Sequence, residues 1–63
     1  MDTLQKIEYL NKKCKDSLSI THYYGTWELH SYKEGTPLCK DIYHESLDGL
    51  LDKAIRKVEK ASK

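Results

Sequence analysis

Leu4, Ile7, Leu10 and Cys14 recur at spacings of three, three and four, with Lys6, Glu8, Lys12, Lys13 and Lys15 mostly between them. That period predicts a short amphipathic helix over residues 3–15, because positions three and four apart share one helix face. Asp2 or Thr3 can cap its start and Asp16-Ser17 can end it. The period then changes. Leu18, Ile20, His22 and Tyr24 alternate with Ser19, Thr21 and Tyr23, and their β-branched and aromatic content favours a strand over residues 18–24. Gly25-Thr26 fits a two-residue type II′ hairpin, since glycine at the first central position accepts positive φ. A second strand over residues 27–32 then pairs Tyr24 with Trp27, His22 with Leu29 and Ile20 with Ser31. A turn at Tyr24-Gly25 would change these partners but keep every residue on its face. One face carries Leu18, Ile20, His22, Tyr24, Trp27 and Leu29, and the other carries Ser19, Thr21, Tyr23, Thr26, Glu28, His30 and Tyr32.

Lys33-Glu34-Gly35-Thr36-Pro37 marks the next turn. With Glu34-Gly35 at its tip, a third strand over residues 38–43 adds Leu38, Lys40 and Ile42 to the Trp27 face, and Cys39, Asp41 and Tyr43 to the other. Lys40 fits that register only on an edge strand, where its ammonium can reach solvent, or beside a bulge. The last element is the strongest: Ser46 caps a helix over residues 46–61 whose stripe is Leu47, Leu50, Leu51, Ala54, Ile55, Val58 and Ala61. Gly49 costs up to about 1 kcal/mol inside it relative to alanine, and close packing against Trp27 is the expected reason for its presence. The chain therefore reads as one α+β domain over residues 1–63, in the order αβββα, with a three-stranded antiparallel sheet and both helices on the Trp27 face. The expected core is Leu4, Ile7, Leu10, Leu18, Ile20, Trp27, Leu29, Ile42, Leu47, Leu50, Leu51, Ala54, Ile55 and Val58.

Composition narrows the function. A chain of 63 residues buries only about 60% of the surface it exposes when unfolded, so its core has to be efficient. One third of the residues are charged, yet the net charge is +1, which provides no long-range field for steering toward a polyanion. No apolar run approaches the roughly 20 residues of a bilayer span, and Met1-Asp2-Thr3 leads directly into a polar amphipathic pattern without a signal-peptide core, so a cytoplasmic protein is expected. Its two cysteines are then read as reduced thiols.

The αβββα order resembles the double-stranded-RNA-binding domain, which implies an RNA-binding fold. The motifs depart from it. That family has a lysine-rich cluster opening its second helix and a Gly-Pro-x-His-like segment in its first hairpin; here those places hold Glu45-Ser46-Leu47-Asp48-Gly49 and Tyr24-Gly25-Thr26. Acids at that helix start repel phosphates, and the family's RNA-contacting residues have no counterparts to carry over. The Trp-bearing hairpin followed by Ser46-Leu47-x-x-Leu50-Leu51-x-x-Ala54-Ile55 also resembles small uncharacterised proteins of bacteria and their phages or prophages, implying a short accessory protein of a mobile element.

Several chemistries can be weighed. Cys14, His22, His30, Cys39 and His44 are the conventional metal-ligand types, but His22 and His30 fall on opposite faces and no C-x-x-C or H-x₃-H spacing compensates, so no metal site is expected. His30 opposite Cys39, with Glu28 and Asp41 alongside, would form a thiol–imidazole pair. A flat strand pair gives it no pocket and no oxyanion hole, and no enzyme is expected. Single glycines at Gly25, Gly35 and Gly49 form no phosphate loop, and no cofactor is expected. Lys53, Arg56, Lys57, Lys60 and Lys63, with Lys12, Lys13 and Lys15, either solvate the helices and complement their dipoles or form a basic patch.

The open face remains. Tyr23, Tyr32 and Tyr43 stand there among polar neighbours, and tyrosine is enriched in protein interfaces. The expectation is a non-enzymatic intracellular interaction module of phage or mobile-element origin. It binds a protein partner or itself, as a homodimer, through Tyr23, Glu28, His30, Tyr32 and Tyr43 or through an edge strand. The alternative is a nucleic-acid-binding module using Lys53, Arg56, Lys57 and Lys60. Neither reading involves a membrane.

Overall fold

The computed structural model describes residues 1–38 and 40–61. Its elements are α1 (Thr3–Lys13), β1 (Leu18–Tyr23), β2 (Thr26–Ser31), β3 (Ile42–His44) and α2 (Leu47–Ala61). The sheet is antiparallel in the order β1-β2-β3, which makes the molecule an αβββα, α+β fold. α2 lies across β2 and β3 and α1 lies against α2, so that both helices enclose one core on one side of the sheet.

Asp2, not Thr3, is the N-cap of α1. Its Oδ1 accepts from the Gln5 N–H at 2.8 Å while Gln5 Oε1 accepts from the Asp2 N–H at 2.9 Å, satisfying two otherwise orphaned donors as a capping box. The helix stops at Lys13 because Lys15 and Asp16 turn left-handed, at φ of 54° and 60°. The Asp16 N–H then donates to the Asn11 carbonyl at 2.9 Å and the Lys15 N–H to that of Lys12 at 3.3 Å, the paired bonds of a Schellman motif. Ser17 fastens this end to the sheet. Its hydroxyl donates to the Cys14 carbonyl and lies 2.5 Å from Ser31 Oγ, and its carbonyl accepts from the Tyr32 N–H at 3.0 Å. Leu4, expected in the core, is instead 64% exposed. Thr3 and Lys6 are the residues of this turn that reach α2, with Thr3 Oγ1 donating to Asp48 at 2.8 Å and Lys6 Nζ 2.8 Å from Asp52.

The first hairpin turns at Tyr24-Gly25, with φ of 50° and 74°, which is the type I′ geometry whose twist matches the flanking strands. The register is accordingly Ile20 to Leu29, His22 to Trp27 and Tyr23 to Thr26. A shift of two residues preserves the faces, as the period of two requires. It does not preserve Tyr24, which sits at the tip and is 97% exposed instead of facing inward. His22 keeps the Trp27 side, with its ring stacked on the indole at 4.3 Å, but it is exposed because α2 covers β2 and β3.

The third strand is shorter than expected. It begins at Ile42 and pairs Leu29 with Ile42, Glu28 with Tyr43 and Trp27 with His44. Cys39 lies outside the described residues, and the exposed Lys40 precedes the strand. Leu38 is nevertheless fully buried. Its carbonyl accepts from the Ser31 N–H at 2.8 Å, and Thr36, also buried, donates through Oγ1 to the Lys33 carbonyl at 2.8 Å, so the loop itself becomes a wall of the core.

That core consists of Leu10, Cys14, Leu29, Leu38, Ile42, Leu50, Leu51, Ala54, Ile55 and Val58, with Ile7, Tyr9, Leu18, Ile20, Trp27 and Leu47 partly buried against it. Cys14 and Leu38 are additions to the expected set, while Ile7, Leu18, Ile20, Trp27 and Leu47 form its half-covered margin. Ser46 caps α2 as its sequence position predicts, with Oγ accepting from the Gly49 N–H at 3.0 Å. Gly49, however, makes room for His44 and not for Trp27, since a Cβ there would overlap the imidazole ring.

Candidate functional site

Strand alternation sends Ser19, Thr21 and Tyr23 of β1, Glu28 and His30 of β2 and Tyr43 of β3 to the side of the sheet away from the core. The rows across it are Ser19 with His30, Thr21 with Glu28 and Tyr43, and Tyr23 with Thr26. Aromatic surface is concentrated here. Tyr23 and Tyr43 are 49% and 48% exposed and Tyr32 is 70% exposed. Tyr24 packs edge-on against Tyr23 at 5.5 Å, and Tyr32 packs edge-on against His30 at 5.4 Å.

Asp41 organises the β3 side of this face. The Tyr43 hydroxyl donates to its Oδ2 at 3.1 Å and His30 Nδ1 lies 3.5 Å from its Oδ1. The hydrogen bond to Asp41 raises the Tyr43 pKa, and partial desolvation and the nearby negative charge of Asp41 and Glu28 add to the effect. The phenol is therefore held protonated as a donor. Glu28, His30 and Asp41 together bring one donor atom each to within 4.8 Å of one another.

A second feature adjoins the first. Along β3, a groove of ≈ 400 Å³ is lined by Asp41, Ile42 and Tyr43 on one side and by Lys53, Arg56, Lys57 and Lys60 of α2 on the other. Positions 53, 56, 57 and 60 share one helix face, which is how the sequence assembles a cationic wall despite a net charge of only +1.

No family model, curated protein or solved structure matches the chain. The site consequently rests on its geometry alone.

Each residue expected at the interaction face is where alternation places it, with Tyr32 just beyond the end of β2. The basic residues are brought together as one groove wall. The thiol–imidazole pair involves Cys39 and so lies outside the described residues. The other thiol is a poor nucleophile: burial pushes the Cys14 pKa up, against a smaller lowering by its hydrogen bond with Ser31. The hairpin tip departs from the sequence pattern. Tyr24 stands at the tip and not inward because the turn begins one residue before Gly25-Thr26; Tyr-Gly is compatible with a I′ turn but lacks the Asn-Gly signature that reveals one. The sequence pattern already sets Glu28 and Asp41 beside His30 on one face; what it does not show is how closely their donor atoms converge, because Asp41 enters from the loop before β3.

Proposed function

We propose that this protein is a non-enzymatic interaction module, of phage or mobile-element type and cytoplasmic, which docks a protein partner or a second copy of itself on the open face of its sheet. The carrying observation is the row of exposed tyrosines spread along the side that neither helix covers. Tyr23, Tyr24, Tyr32 and Tyr43 present large, rigid contact area with polar tips, which is the chemistry of protein interfaces. Tyr24 adds a separate argument. A bulky residue at positive φ is costly, and such strain concentrates at functional positions. Glu28, His30 and Asp41 supply the polar surround.

The cationic groove beside β3 favours a second reading, in which a nucleic-acid strand follows Lys53, Arg56, Lys57 and Lys60 with a base stacked on Tyr43. The face offers Glu28 and Asp41 next to that tyrosine, which disfavours phosphate, so the protein-binding reading is preferred.

Affinity capture from the native host separates the two. The baits are the wild type, the Tyr23→Ala/Tyr32→Ala/Tyr43→Ala variant, and a variant with Lys53, Arg56, Lys57 and Lys60 each changed to Gln. The proposal expects a protein partner, or the chain itself, that is lost with the tyrosine variant and kept with the glutamine variant. Recovery of nucleic acid that is lost with the glutamine variant and weakens steeply with salt supports the second reading.

A further inference from the structure

The geometry points to a divalent metal site of the zinc type formed by Glu28, His30 and Asp41 on the open sheet face, independent of whether that face also binds a protein. Glu28 and His30 are two apart on β2 and point the same way, and Asp41, just before β3, comes alongside His30. Two side chains of β2 and one from the segment entering β3 thus converge, with their donor atoms within 4.8 Å of one another.

The spacing suits coordination. With metal–ligand bonds of about 2.0–2.1 Å, two tetrahedral ligand atoms stand about 3.4 Å apart. His30 Nδ1 and Asp41 Oδ1 are 3.5 Å apart, so an ion can bridge them without backbone movement. A Glu28 carboxylate oxygen lies within 4.8 Å of both donor atoms and is the third ligand of the proposed site. The Tyr43 hydroxyl, donating to Asp41 Oδ2 at 3.1 Å, fixes the carboxylate with its other oxygen toward His30, a supporting contact of the kind that orients metal ligands.

The donor set selects the ion. One imidazole and two carboxylates neutralise a dication, and the imidazole favours zinc or a neighbouring transition metal over calcium or magnesium, which prefer all-oxygen sites. Three protein ligands leave a coordination position open for water or for a group on a bound partner. Lys53, Arg56, Lys57 and Lys60 share the adjoining groove with Asp41, and their charge opposes the ion, so neutralising them should tighten binding.

The test is calorimetric titration of the full chain with Zn²⁺ under reducing conditions, paired with the visible spectrum of the Co²⁺ form. The expected result is one ion per chain and a cobalt spectrum without thiolate charge-transfer absorption. Affinity should fall at least tenfold in His30→Ala and in Glu28→Gln, and about tenfold in Tyr43→Phe, which keeps the ring and removes only the hydrogen bond to Asp41. All three positions lie on the outward face, and far-UV circular dichroism checks that each variant stays folded. Absence of saturable binding, unchanged affinity in a folded His30→Ala or Glu28→Gln chain, or a thiolate band in the cobalt spectrum would each overturn the assignment.

Discussion

The imidazole of His44 occupies the space in which a Cβ on Gly49 would have to sit. The same ring accepts from the Ser46 N–H through Nδ1 at 3.0 Å, so β3, the N-cap and the first turn of α2 meet at one close approach. Alanine at position 49 gains up to about 1 kcal/mol of helix propensity, yet it forces the ring out and breaks that bond. Overpacking of this kind costs about 1–3 kcal/mol. Gly49→Ala should therefore destabilise the chain in urea unfolding, and in the His44→Ala background the same substitution should stabilise it. Such a sign reversal is the signature of a direct contact.

Tyr24 occupies a left-handed turn position that asparagine tolerates far better. Tyr24→Asn should raise stability by about 0.5–1 kcal/mol, seen as a higher thermal midpoint, while weakening whatever the tyrosine face binds. A variant that gains stability and keeps full binding would show that the tip tyrosine is not part of the contact.

Leu38 belongs to no strand, yet it is as deeply buried as Leu29. Leu38→Ala should cost about 2–5 kcal/mol, the range for a leucine lost from a packed core, and should match Leu29→Ala in denaturant unfolding. Lys40→Ala, two residues on and exposed, should change stability by less than about 0.5 kcal/mol.

The α1–α2 clamp carries a pH signature. The hydrogen bond between Lys6 and Asp52 lowers the Asp52 pKa and raises that of Lys6. A lowered carboxylate contributes stability above its unfolded pKa and loses it as pH falls through the folded value; a raised amine contributes below its unfolded pKa and loses it as pH rises through the folded value. The pair is thus at full strength between the two. Its contribution fades below the ordinary aspartate value of 3.8 and above the ordinary lysine value of 10.5. Carbon-detected NMR titration should place the Asp52 midpoint below 3.8, and Lys6→Met should return it toward that value.

These contacts also show how far a single sequence can be read. Helix existence, strand faces and the outward tyrosines follow from periods of 3.6 and 2.0, which local residue order carries directly. The limits of the core are less legible in the local pattern. Leu4 satisfies the apolar period of α1, but the capped first turn meets α2 through Thr3 and Lys6, a tertiary choice that no local pattern records. Strand alternation turns Leu38 inward, yet it is a hydrogen-bonded loop that buries it. That Gly49 makes room for a ring is legible in the sequence, but that the ring is His44 and not Trp27 depends on the register of β3. Among the site residues, alternation placed Tyr23, Glu28, His30 and Tyr43 correctly. It could not show that Asp41 would bridge His30 and Tyr43, since that meeting depends on how the loop enters β3.

Site-specific photocrosslinking shows whether the open sheet face is the docking surface. A photoreactive phenylalanine analogue at Tyr43, on the open face, is compared in the native host with one at Leu4, exposed on α1, and one at Lys57, on the cationic groove wall. Docking on the open face should give a discrete protein adduct, or a dimer of the chain, from position 43 that is absent from position 4 and weaker from position 57. Equal labelling from all three positions, or adducts to nucleic acid dominated by position 57, would contradict it.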